Sequence, residues 1–162
     1  MQKSIKIRWA SEKDISSIQK SILEWLNWTV SREESIKRAI KNKELLVADQ
    51  QGKIIGFIHY VMHEDIINGG LNSFITAFYV NSKLRNKGIG SILLRKAIED
   101  SLDRGAVGVE SSTASPDARR LYERHHFKQF MGKGPIGEVF LELDIKEYTQ
   151  NLSKKSHTHQ KE

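Results

Sequence analysis

The sequence predicts an α/β fold of the α+β type, in which one mixed, mostly antiparallel central sheet carries helices on both faces. Three observations predict it. Runs of β-branched and aromatic residues alternate with segments in which apolar residues recur every three or four positions. Three strand-like runs follow one another with short turns between them, which is typical of an antiparallel meander. A helical segment then separates two further strands, and such a crossover requires those two strands to be parallel.

The first half of the chain is predicted to hold four strands and two helices. Ser11 with Asp14, and Ser31 with Glu34, have the spacing of capping boxes, which predicts a helix start at each pair. A tight turn with Gly52 joins the second strand to the third. The predicted strands are residues 5–9, 45–49, 53–63 and 74–80.

The second half is predicted to hold two helices and three strands. Apolar residues at helical spacing run from Ile89 to Leu102, and Gly105 is a suitable C-cap for that helix. Pro116 suits the first turn of the next helix. The predicted strands are residues 107–112, 127–131 and 138–144, the last two of which form a hairpin.

The length and composition predict a single domain. With 162 residues, of which 38% are hydrophobic, the chain can bury one core but is short for two. We place this domain at residues 1–145 and expect the polar, basic tail of residues 146–162 to be disordered. The chain contains no cysteine, which excludes disulfides, zinc–thiolate centres and cysteine nucleophiles. We predict no metal site.

The formal net charge of +6 favours an anionic partner, which could be nucleic acid, a membrane surface or a phosphorylated small molecule. The basic residues are not interleaved with aromatic residues as in nucleic-acid-binding modules, so nucleic acid is the less favoured partner. No apolar run is long enough to span a bilayer, and the first residues do not form an export signal. We therefore expect a cytoplasmic protein with no membrane partner.

A glycine-rich turn from Lys83 to Gly90 joins a predicted strand to a predicted helix. Gly88 and Gly90 lack the Cβ atom that would keep a ligand away from the backbone, and the first N–H groups of the helix point outward. Arg85 and Lys87 add two cations. The turn therefore predicts a phosphate site, and the alternative is an ordinary strand-to-helix turn with solvated charges.

Two better-known phosphate loops do not fit these residues. A Walker A loop requires a lysine directly after its last glycine, whereas Gly90 is followed by Ser91. The dinucleotide-binding pattern requires a small residue at the position of Leu93. Neither nucleotide hydrolysis nor nicotinamide chemistry is therefore favoured.

Three segments carry a more specific pattern. They are Tyr79-Val80 followed by Leu84-Arg85-Asn86-Lys87-Gly88-Ile89-Gly90, the strand at 107–112 with Ser115 and Ala118, and Leu121-Tyr122-Glu123-Arg124 with Phe127. Together they resemble the GNAT superfamily, the acetyl-CoA-dependent N-acyltransferases. The resemblance covers nearly all of the domain.

The resemblance implies a GNAT-like fold and acetyl-CoA as the cosubstrate. It assigns the Arg-x-x-Gly-x-Gly segment to the pyrophosphate of the coenzyme. The residues at the family's coenzyme-binding positions are Phe78, Tyr79, Val80, Arg85, Asn86, Lys87, Gly88, Ile89, Gly90, Ser91, Ser115 and Ala118.

Three positions depart from the family pattern. Ser115 stands where an asparagine commonly helps to order the coenzyme arm, and His126 stands where a glycine usually precedes the phenylalanine. Many members carry a glutamate on the strand before the loop, whereas residues 76–78 here include no carboxylate. We expect His126 to tolerate a positive φ, as histidine does better than most residues.

Acetyl transfer to an amine requires a group that takes a proton, because an amine with a pKa well above neutrality arrives protonated. Glu110 is the first candidate for this base. It alternates away from Val109 along its strand, and it resembles the strand glutamate of the branch that acetylates protein N-terminal amines. The alternative is a solvated or ion-paired glutamate. The other candidate bases are Glu24, Glu64 and Asp65.

Tyr122 is the candidate general acid that protonates the departing thiolate. It matches the family's tyrosine near the thioester sulfur, and the alternative is a tyrosine that only packs. Backbone N–H groups of residues 78–80 would stabilise the oxyanion. Because the chain has no cysteine, direct transfer within a ternary complex is the simplest mechanism.

The acceptor is expected to be a primary amine, which could be a peptide N-terminus, a lysine or a small molecule. Trp25 and Trp28 lie where the family builds its acceptor site, and the alternative is that both fill the core. A catalytically weak or inactive acyl-CoA-binding module is the alternative function, and a basic nucleic-acid binder is a third. The chain is expected to be a monomer or a homodimer.

Overall fold

The computed structural model describes residues 4–27, 30–67 and 69–158. The strands in this part of the chain are β1 (Lys6–Trp9), β2 (Leu45–Gln50), β3 (Lys53–Glu64), β4 (Leu71–Val80), β5 (Gly108–Thr113), β6 (Lys128–Gln129) and β7 (Val139–Asp144). The α-helices are α1 (Ile15–Leu26), α2 (Glu33–Lys41), α3 (Ile89–Asp103), α4 (Pro116–Arg124) and α5 (Ile145–Thr158).

The seven strands form one sheet in the order β1-β2-β3-β4-β5-β7-β6. The pairs β1–β2, β2–β3, β5–β7 and β6–β7 are antiparallel, and β4–β5 is parallel. The predicted mixed, mostly antiparallel sheet is therefore confirmed. The parallel pair is the one that the α3 crossover requires.

Two compact units make up the chain. The first unit consists of residues 1–61 and 76–97, and the second unit consists of residues 62–75 and 98–162. The predicted domain boundary at residue 145 stays a prediction.

In the first unit, α1 and α2 pack on one face of the sheet. Ile18 of α1 and Ile36 of α2 are buried against Val47 and Phe57 of the sheet. These side chains recur at helical spacing in the helices and at alternate positions in the strands, so each element has one apolar face.

The other face of the first unit is covered by α3, which requires a glycine on β3. A Cβ atom on Gly56 would lie 2.8 Å from the main-chain oxygen of Tyr79 and 3.3 Å from Cδ1 of Leu93 on α3. Because Gly56 and Phe57 point to opposite faces of the strand, α3 lies on the face opposite to α1. Close packing of β3, β4 and α3 therefore depends on the missing side chain.

The predicted capping box at Ser11 and Asp14 is confirmed, and it opens the short 3-10 helix Glu12–Asp14 that leads into α1. The Asp14 carboxylate accepts hydrogen bonds from the main-chain N–H and the hydroxyl of Ser11, at 2.8 and 2.9 Å. Arg8 on β1 donates to both oxygens of Asp14, at 2.7 and 2.9 Å. The hydrogen bonds from Arg8 are the largest cause that lowers the pKa of Asp14, to about 2. This partly buried ion pair ties β1 to the helical segment that follows it.

The predicted capping box at Ser31 and Glu34 is wrong. The N-cap of α2 is Arg32, and no side chain caps this helix. The main-chain N–H of Arg32 instead donates to Oε1 of Gln19 on α1, at 3.1 Å. A tertiary contact between the two helices thus replaces the local bond that the sequence spacing predicted.

The other local signals are confirmed. Gln51 and Gly52 both have positive φ, at +55 and +83°, which is the conformation of a two-residue turn between antiparallel strands. Gly105 after α3 has φ of +87°. Pro116 occupies the first turn of α4.

Residues 145–158 form a helix, which corrects the predicted disordered tail. The N–H of Glu147 donates to Oδ1 of Asp144 at 2.8 Å, which caps α5. Ile145 is buried, and its N–H donates to the carbonyl of Val107 at 3.1 Å. Tyr148 packs near His126, with ring centroids 6.0 Å apart. Ile145 and Tyr148 have the spacing of one helix face, and this signal is hidden by the surrounding polar residues.

Asp14→Asn is expected to lower the free energy of unfolding by about 2 kcal/mol at neutral pH, because the pKa of Asp14 falls from 3.8 to about 2 on folding. A carboxylate whose folded-state pKa is lowered stabilises the fold above its unfolded-state pKa. The difference from the wild type should therefore shrink as the pH falls from about 4 towards 2. Urea denaturation at neutral pH and at about pH 3 measures it. Glu12→Gln, an exposed change in the same segment, is the control, and equal losses for both variants would contradict the prediction.

Candidate active site

The turn between β4 and α3 contains two left-handed residues. Asn81 caps a short turn of 3-10 helix after β4, and its side-chain oxygen accepts the N–H of Lys83 at 3.1 Å. Asn86 then has φ of +61° and Gly88 has φ of +81°, after which α3 begins at Ile89. Asparagine and glycine are the residues that adopt this conformation at least cost. The residue types at positions 86 and 88 therefore match the left-handed backbone conformation that the loop has there.

The first turn of α3 has N–H groups that precede the hydrogen-bond ladder of the helix. The N–H of Ile92 donates to the carbonyl of Gly88 at 3.1 Å, so the N–H groups of Ile89, Gly90 and Ser91 come before it. The side chain of Ile89 is buried and holds this turn against the core. N–H groups at the positive end of a helix dipole suit an anion with several oxygen atoms.

Two exposed cations lie in this turn. Arg85 donates from Nε to the carbonyl oxygen of Val80 at 3.2 Å, which holds the side chain along the end of β4. Its two remaining NH₂ groups can still bind an anion. The side chain of Lys87 is exposed. Both predicted phosphate-binding cations thus lie in the turn that leads to the first amides of α3.

A groove of about 810 Å³ lies between α1, the β2–β3 turn and the segment after β4. Its cations are Lys20, Lys53, Lys83 and Arg85. Trp25 lines the groove with 41% of its surface exposed and packs on the ring of Tyr79 at a centroid distance of 5.9 Å. Trp25 therefore forms part of the groove wall, and Trp28 lies outside the described residues.

The predicted coenzyme-binding residues of β4 differ in exposure. Tyr79 is buried, with its ring stacked on Phe57 at 5.4 Å, and burial is the main cause that raises its pKa. Tyr79 nevertheless lies in the wall of the groove. Phe78 and Val80 on either side are half-buried.

In the second unit, Tyr122 of α4 is 97% buried, since only 3% of its surface is exposed. The hydroxyl of Ser111 on β5 donates to the Tyr122 oxygen at 2.9 Å, and the Tyr122 ring packs on Phe127 at 5.1 Å. Burial raises the pKa of Tyr122 to about 12, although the bond from Ser111 acts in the opposite direction. The phenol is consequently neutral across the physiological pH range.

The start and end of α4 carry two departures from the family pattern. Ser115 caps the helix, because its Oγ accepts the N–H of Ala118 at 3.3 Å. The sequence signal for this cap is a serine directly before Pro116. His126 has φ of +70°, which confirms the expected positive φ at that position.

Glu110 lies on the opposite side of β5 from Ser111, because successive side chains of a strand alternate. Its Oε1 accepts a hydrogen bond from Nδ2 of Asn72 on β4 at 3.0 Å, and its Oε2 lies 3.9 Å from Nε2 of His63 on β3. Its strand partner on β7 is Glu142. The side chain of Glu110 is 22% exposed, so it is a partly buried, hydrogen-bonded carboxylate that water still reaches.

Sequence reasoning missed His63, Asn72 and Glu142. Asn72 and Glu142 come next to Glu110 through the registers of β4 with β5 and of β5 with β7, and His63 approaches it from β3. No local pattern in the sequence encodes these registers.

The other candidate bases are placed differently. Glu24 lines the groove of the first unit. Glu64 is exposed at the end of β3, and Asp65 accepts the N–H of Ile67 at 2.9 Å in the turn that follows. Glu110 is thus the candidate with a hydrogen-bonded position on a strand.

Within the described ranges, no cluster of three or more histidine, aspartate or glutamate side chains is arranged to hold a metal ion. None of the helices in these ranges is long and apolar enough to cross a membrane.

Comparison with known proteins identifies the family to which this chain belongs. Residues 11–127 match the sequence model of the acetyltransferase (GNAT) family. An acetyltransferase of Agrobacterium fabrum is 35% identical over 63 residues, which cover 39% of this chain. The matched part spans 46% of that protein's length, so the chain is related to about half of it.

Solved structures share the fold. A ribosomal-protein-alanine N-acetyltransferase of Brucella melitensis superposes with a TM-score of 0.73 at 20% identity, over 86% of this chain and 99% of that one. A NatC complex bound to Gag peptide and CoA has a chain with a TM-score of 0.75 at 21% identity, over 87% of this chain and 98% of that one. At these identities the likeness establishes the fold.

Gly88→Ala is expected to cost about 1–2 kcal/mol of unfolding free energy, since an alanine at φ of +81° must adopt the left-handed region. No atom lies within 4 Å of the added Cβ, so steric contact adds nothing. Gly90→Ala is the matched control and should be neutral or slightly stabilising, because Gly90 lies inside α3. Urea denaturation of both variants measures the difference, and similar losses would show that the turn does not need its left-handed residue.

Proposed function

Because this chain belongs to the acetyltransferase (GNAT) family, we propose that it is an N-acetyltransferase that moves the acetyl group of acetyl-CoA to a primary amine. The two substrates bind together, and the acetyl group passes directly from sulfur to nitrogen. The acceptor is a peptide N-terminus, a lysine or a small-molecule amine.

The observation that carries the proposal is the turn before α3. Its left-handed residues at Asn86 and Gly88 lead into the first N–H groups of a helix, and the exposed cations Arg85 and Lys87 lie in the same turn. A diphosphate has several anionic oxygens that these amides and cations can bind at once. The coenzyme's diphosphate is the matching group in the family's cosubstrate.

Glu110 takes the proton of the acceptor in this mechanism. The ammonium form of the amine transfers a proton to the Glu110 carboxylate, directly or through a water. The lone pair on nitrogen then attacks the thioester carbonyl, a C–N bond forms, and the C–S bond breaks. The second proton on the nitrogen passes to water, and water returns a proton to the Tyr122 phenolate after the thiol has formed. Hydrogen bonding from Asn72 orients one carboxylate oxygen and leaves the other available.

Tyr122 protonates the thiolate that departs. The pKa of Tyr122 is about 12, whereas a free thiol has a pKa of about 8.5, so the transfer is uphill by roughly 5 kcal/mol if the thiolate is solvated. A thiolate released into an equally dry environment also has a raised pKa, which reduces this difference. The general-acid role therefore depends on the exclusion of water from the sulfur.

An acyl-CoA-binding module without activity is the second candidate. The observation in its favour is the absence of a carboxylate at Thr76, Ala77 and Phe78, together with the use of Ser115 as a helix cap. Coenzyme would raise the melting temperature in both cases. Release of free thiol from acetyl-CoA with a panel of amines distinguishes the enzyme from the module.

Arg85→Ala is expected to weaken the binding of coenzyme A by about tenfold, because a charge-assisted bond to phosphate is lost. Isothermal titration calorimetry with coenzyme A measures the change. Arg38→Ala on α2 removes the same charge outside the turn and is the control. An unchanged affinity for Arg85→Ala would exclude this residue from the diphosphate site.

Tyr122→Phe is expected to slow thiol release by about two to four orders of magnitude, the usual contribution of a positioned acid. Its affinity for coenzyme A should stay within about twofold of the wild type. Tyr60→Phe, which removes the hydroxyl of another fully buried tyrosine, is the control for lost packing and should keep most of the rate. Equal rates for Tyr122→Phe and the wild type would show that Tyr122 only packs.

A further inference from the structure

A histidine and a threonine on neighbouring strands of the first unit are joined by a hydrogen bond between their side chains. Oγ1 of Thr76 on β4 contacts Nδ1 of His59 on β3, and it also donates to the main-chain oxygen of His59 at 3.3 Å. His59 is half-buried, whereas Thr76 is exposed. The pair therefore lies at a part of the sheet that solvent reaches.

A β-bulge in β4 turns Thr76 towards His59. Phe57 is buried on the side of β3 that α1 covers, and His59, two residues further, points to the same side. Ala77 packs against the cluster that includes Phe57, so its side chain is on this side as well. Thr76 and Ala77 are neighbours in the chain, and two successive side chains on one side of a strand indicate a bulge. Bulges re-aim a side chain and are frequent next to active sites.

The two contacts of Thr76 determine which imidazole nitrogen of His59 carries the proton. A hydroxyl group has one hydrogen, so Oγ1 cannot donate both to the main-chain oxygen and to Nδ1. Both contacts are hydrogen bonds when Oγ1 donates to the main-chain oxygen and accepts from Nδ1–H. Nε2 then carries the lone pair, and it makes no hydrogen bond to another described residue. The pair thus holds a neutral imidazole whose second nitrogen is a proton acceptor.

The surroundings of His59 keep the ring neutral at physiological pH. Burial is the largest cause that lowers its pKa below the ordinary value of 6.5, and the charge of Glu44 acts in the opposite direction. Glu44 directly precedes Leu45, the strand partner of His59 on β2. On the β4 side, Thr76 carries no charge. An imidazolium that forms at His59 therefore gives its proton readily to water.

His59 lies near the expected position of the thioester along β4. The main-chain N–H groups of residues 78–80 are the expected donors to the carbonyl oxygen, and Thr76 precedes Phe78 by two residues. Two residues of a strand span about 6.5 Å, and two hydrogen bonds through one water span about 6 Å. A water at Nε2 of His59 can thus contact the nitrogen that attacks this carbonyl.

We propose that His59 is a second proton acceptor in acetyl transfer and that Thr76 is its positioning residue. Glu110 takes the first proton, from the ammonium form of the acceptor. After the C–N bond has formed, the nitrogen passes its second proton through a water to Nε2 of His59, the C–S bond breaks, and Tyr122 protonates the thiolate. The imidazolium then gives its proton to bulk water. The role of His59 rests on the proposed function, whereas the tautomer that Thr76 holds does not.

The pair also bears on the second candidate function. Residues 76–78 contain no carboxylate, which favours a module without activity. In the proposed mechanism, a titratable group reaches this part of β4 from the neighbouring strand instead. The missing carboxylate is then consistent with an active enzyme.

His59→Gln removes the titratable group and keeps a side chain that forms hydrogen bonds. We expect kcat for thiol release from acetyl-CoA to fall by about two orders of magnitude, the usual contribution of a positioned base. The amine probes are a tripeptide with a free N-terminus, Nα-acetyl-lysine and n-butylamine. The KM of the amine and the affinity for coenzyme A should not change, and far-UV circular dichroism checks that the variant is folded.

His126→Asn is the matched control. It removes an exposed imidazole of the second unit, and asparagine tolerates the positive φ of that position. Its kcat should equal that of the wild type. A wild-type kcat for His59→Gln would exclude the role of His59 and leave the acetyltransferase activity.

Thr76→Val tests the positioning role, because it keeps the shape of the side chain and removes the hydroxyl. Its kcat should fall by about tenfold at unchanged KM, since Nδ1–H loses its acceptor. Thr76→Ser keeps the hydroxyl and should restore most of the rate. Equal rates for Thr76→Val and Thr76→Ser would exclude the positioning role.

The pH profile of kcat gives a signature that lost packing would not produce. A base must be neutral to accept a proton, so kcat should fall as the pH falls through the pKa of His59, below 6.5. His59→Gln should lack this inflection. An identical profile for His59→Gln and the wild type would overturn the proposal.

Imidazole NMR separates this proposal from the function on which it rests. Long-range proton–nitrogen correlation at neutral pH should place the proton of His59 on Nδ1, and Thr76→Val should move it towards Nε2. A proton on Nε2 in the wild type would overturn the proposal even where thiol release occurs. Absence of thiol release with every amine probe would exclude the activity and the catalytic role of His59, and only the hydrogen bond with Thr76 would remain.

Discussion

The left-handed turn at Asn86 and Gly88 is the constraint on which the first unit of this protein depends. It reverses the chain after β4 so that α3 starts at Ile89 with N–H groups that precede the hydrogen-bond ladder of the helix. The same reversal lets α3 pack across β3, where Gly56 removes the Cβ atom that would collide with the main chain of Tyr79. Gly88 and Gly56 therefore both determine where α3 lies. Gly88 adopts the left-handed turn before the helix, and Gly56 lets the helix approach the sheet closely.

The distribution of charge follows the proposed chemistry. In the first unit, Lys20, Lys53 and Lys83 line the groove together with Arg85, so its potential is positive. In the second unit, Glu110, Glu142 and Asp144 gather carboxylates in a chain that is basic overall. The groove of the first unit is thus lined by cations, whereas this part of the second unit gathers carboxylates.

The alternation of β5 gives its two functional candidates opposite environments. Ser111 points into the apolar side and donates to Tyr122, whose burial keeps the phenol protonated. Glu110 points to the polar side, where Asn72 binds it and water reaches it. One strand thereby separates a group that holds its proton from a group that can accept one, and the separation follows from the two-residue period of a strand.

The sequence by itself determined the elements and their connections, because these depend on local chemistry. Apolar periodicity, the Ser11–Asp14 box, the turn at Gln51 and Gly52, and the positive φ at His126 are all local, and each was predictable. The prediction was wrong where a local signal competed with a distant contact. Gln19 of α1 replaces the expected cap of α2, and contacts to Asp144 and Val107 order α5.

The resemblance identified Glu110 and Tyr122 as candidate catalytic residues, but the sequence did not predict which residues surround them. Only the tertiary structure placed Asn72 and Glu142 beside Glu110 and Ser111 beside Tyr122, because strand register and helix packing join residues that are far apart in the chain.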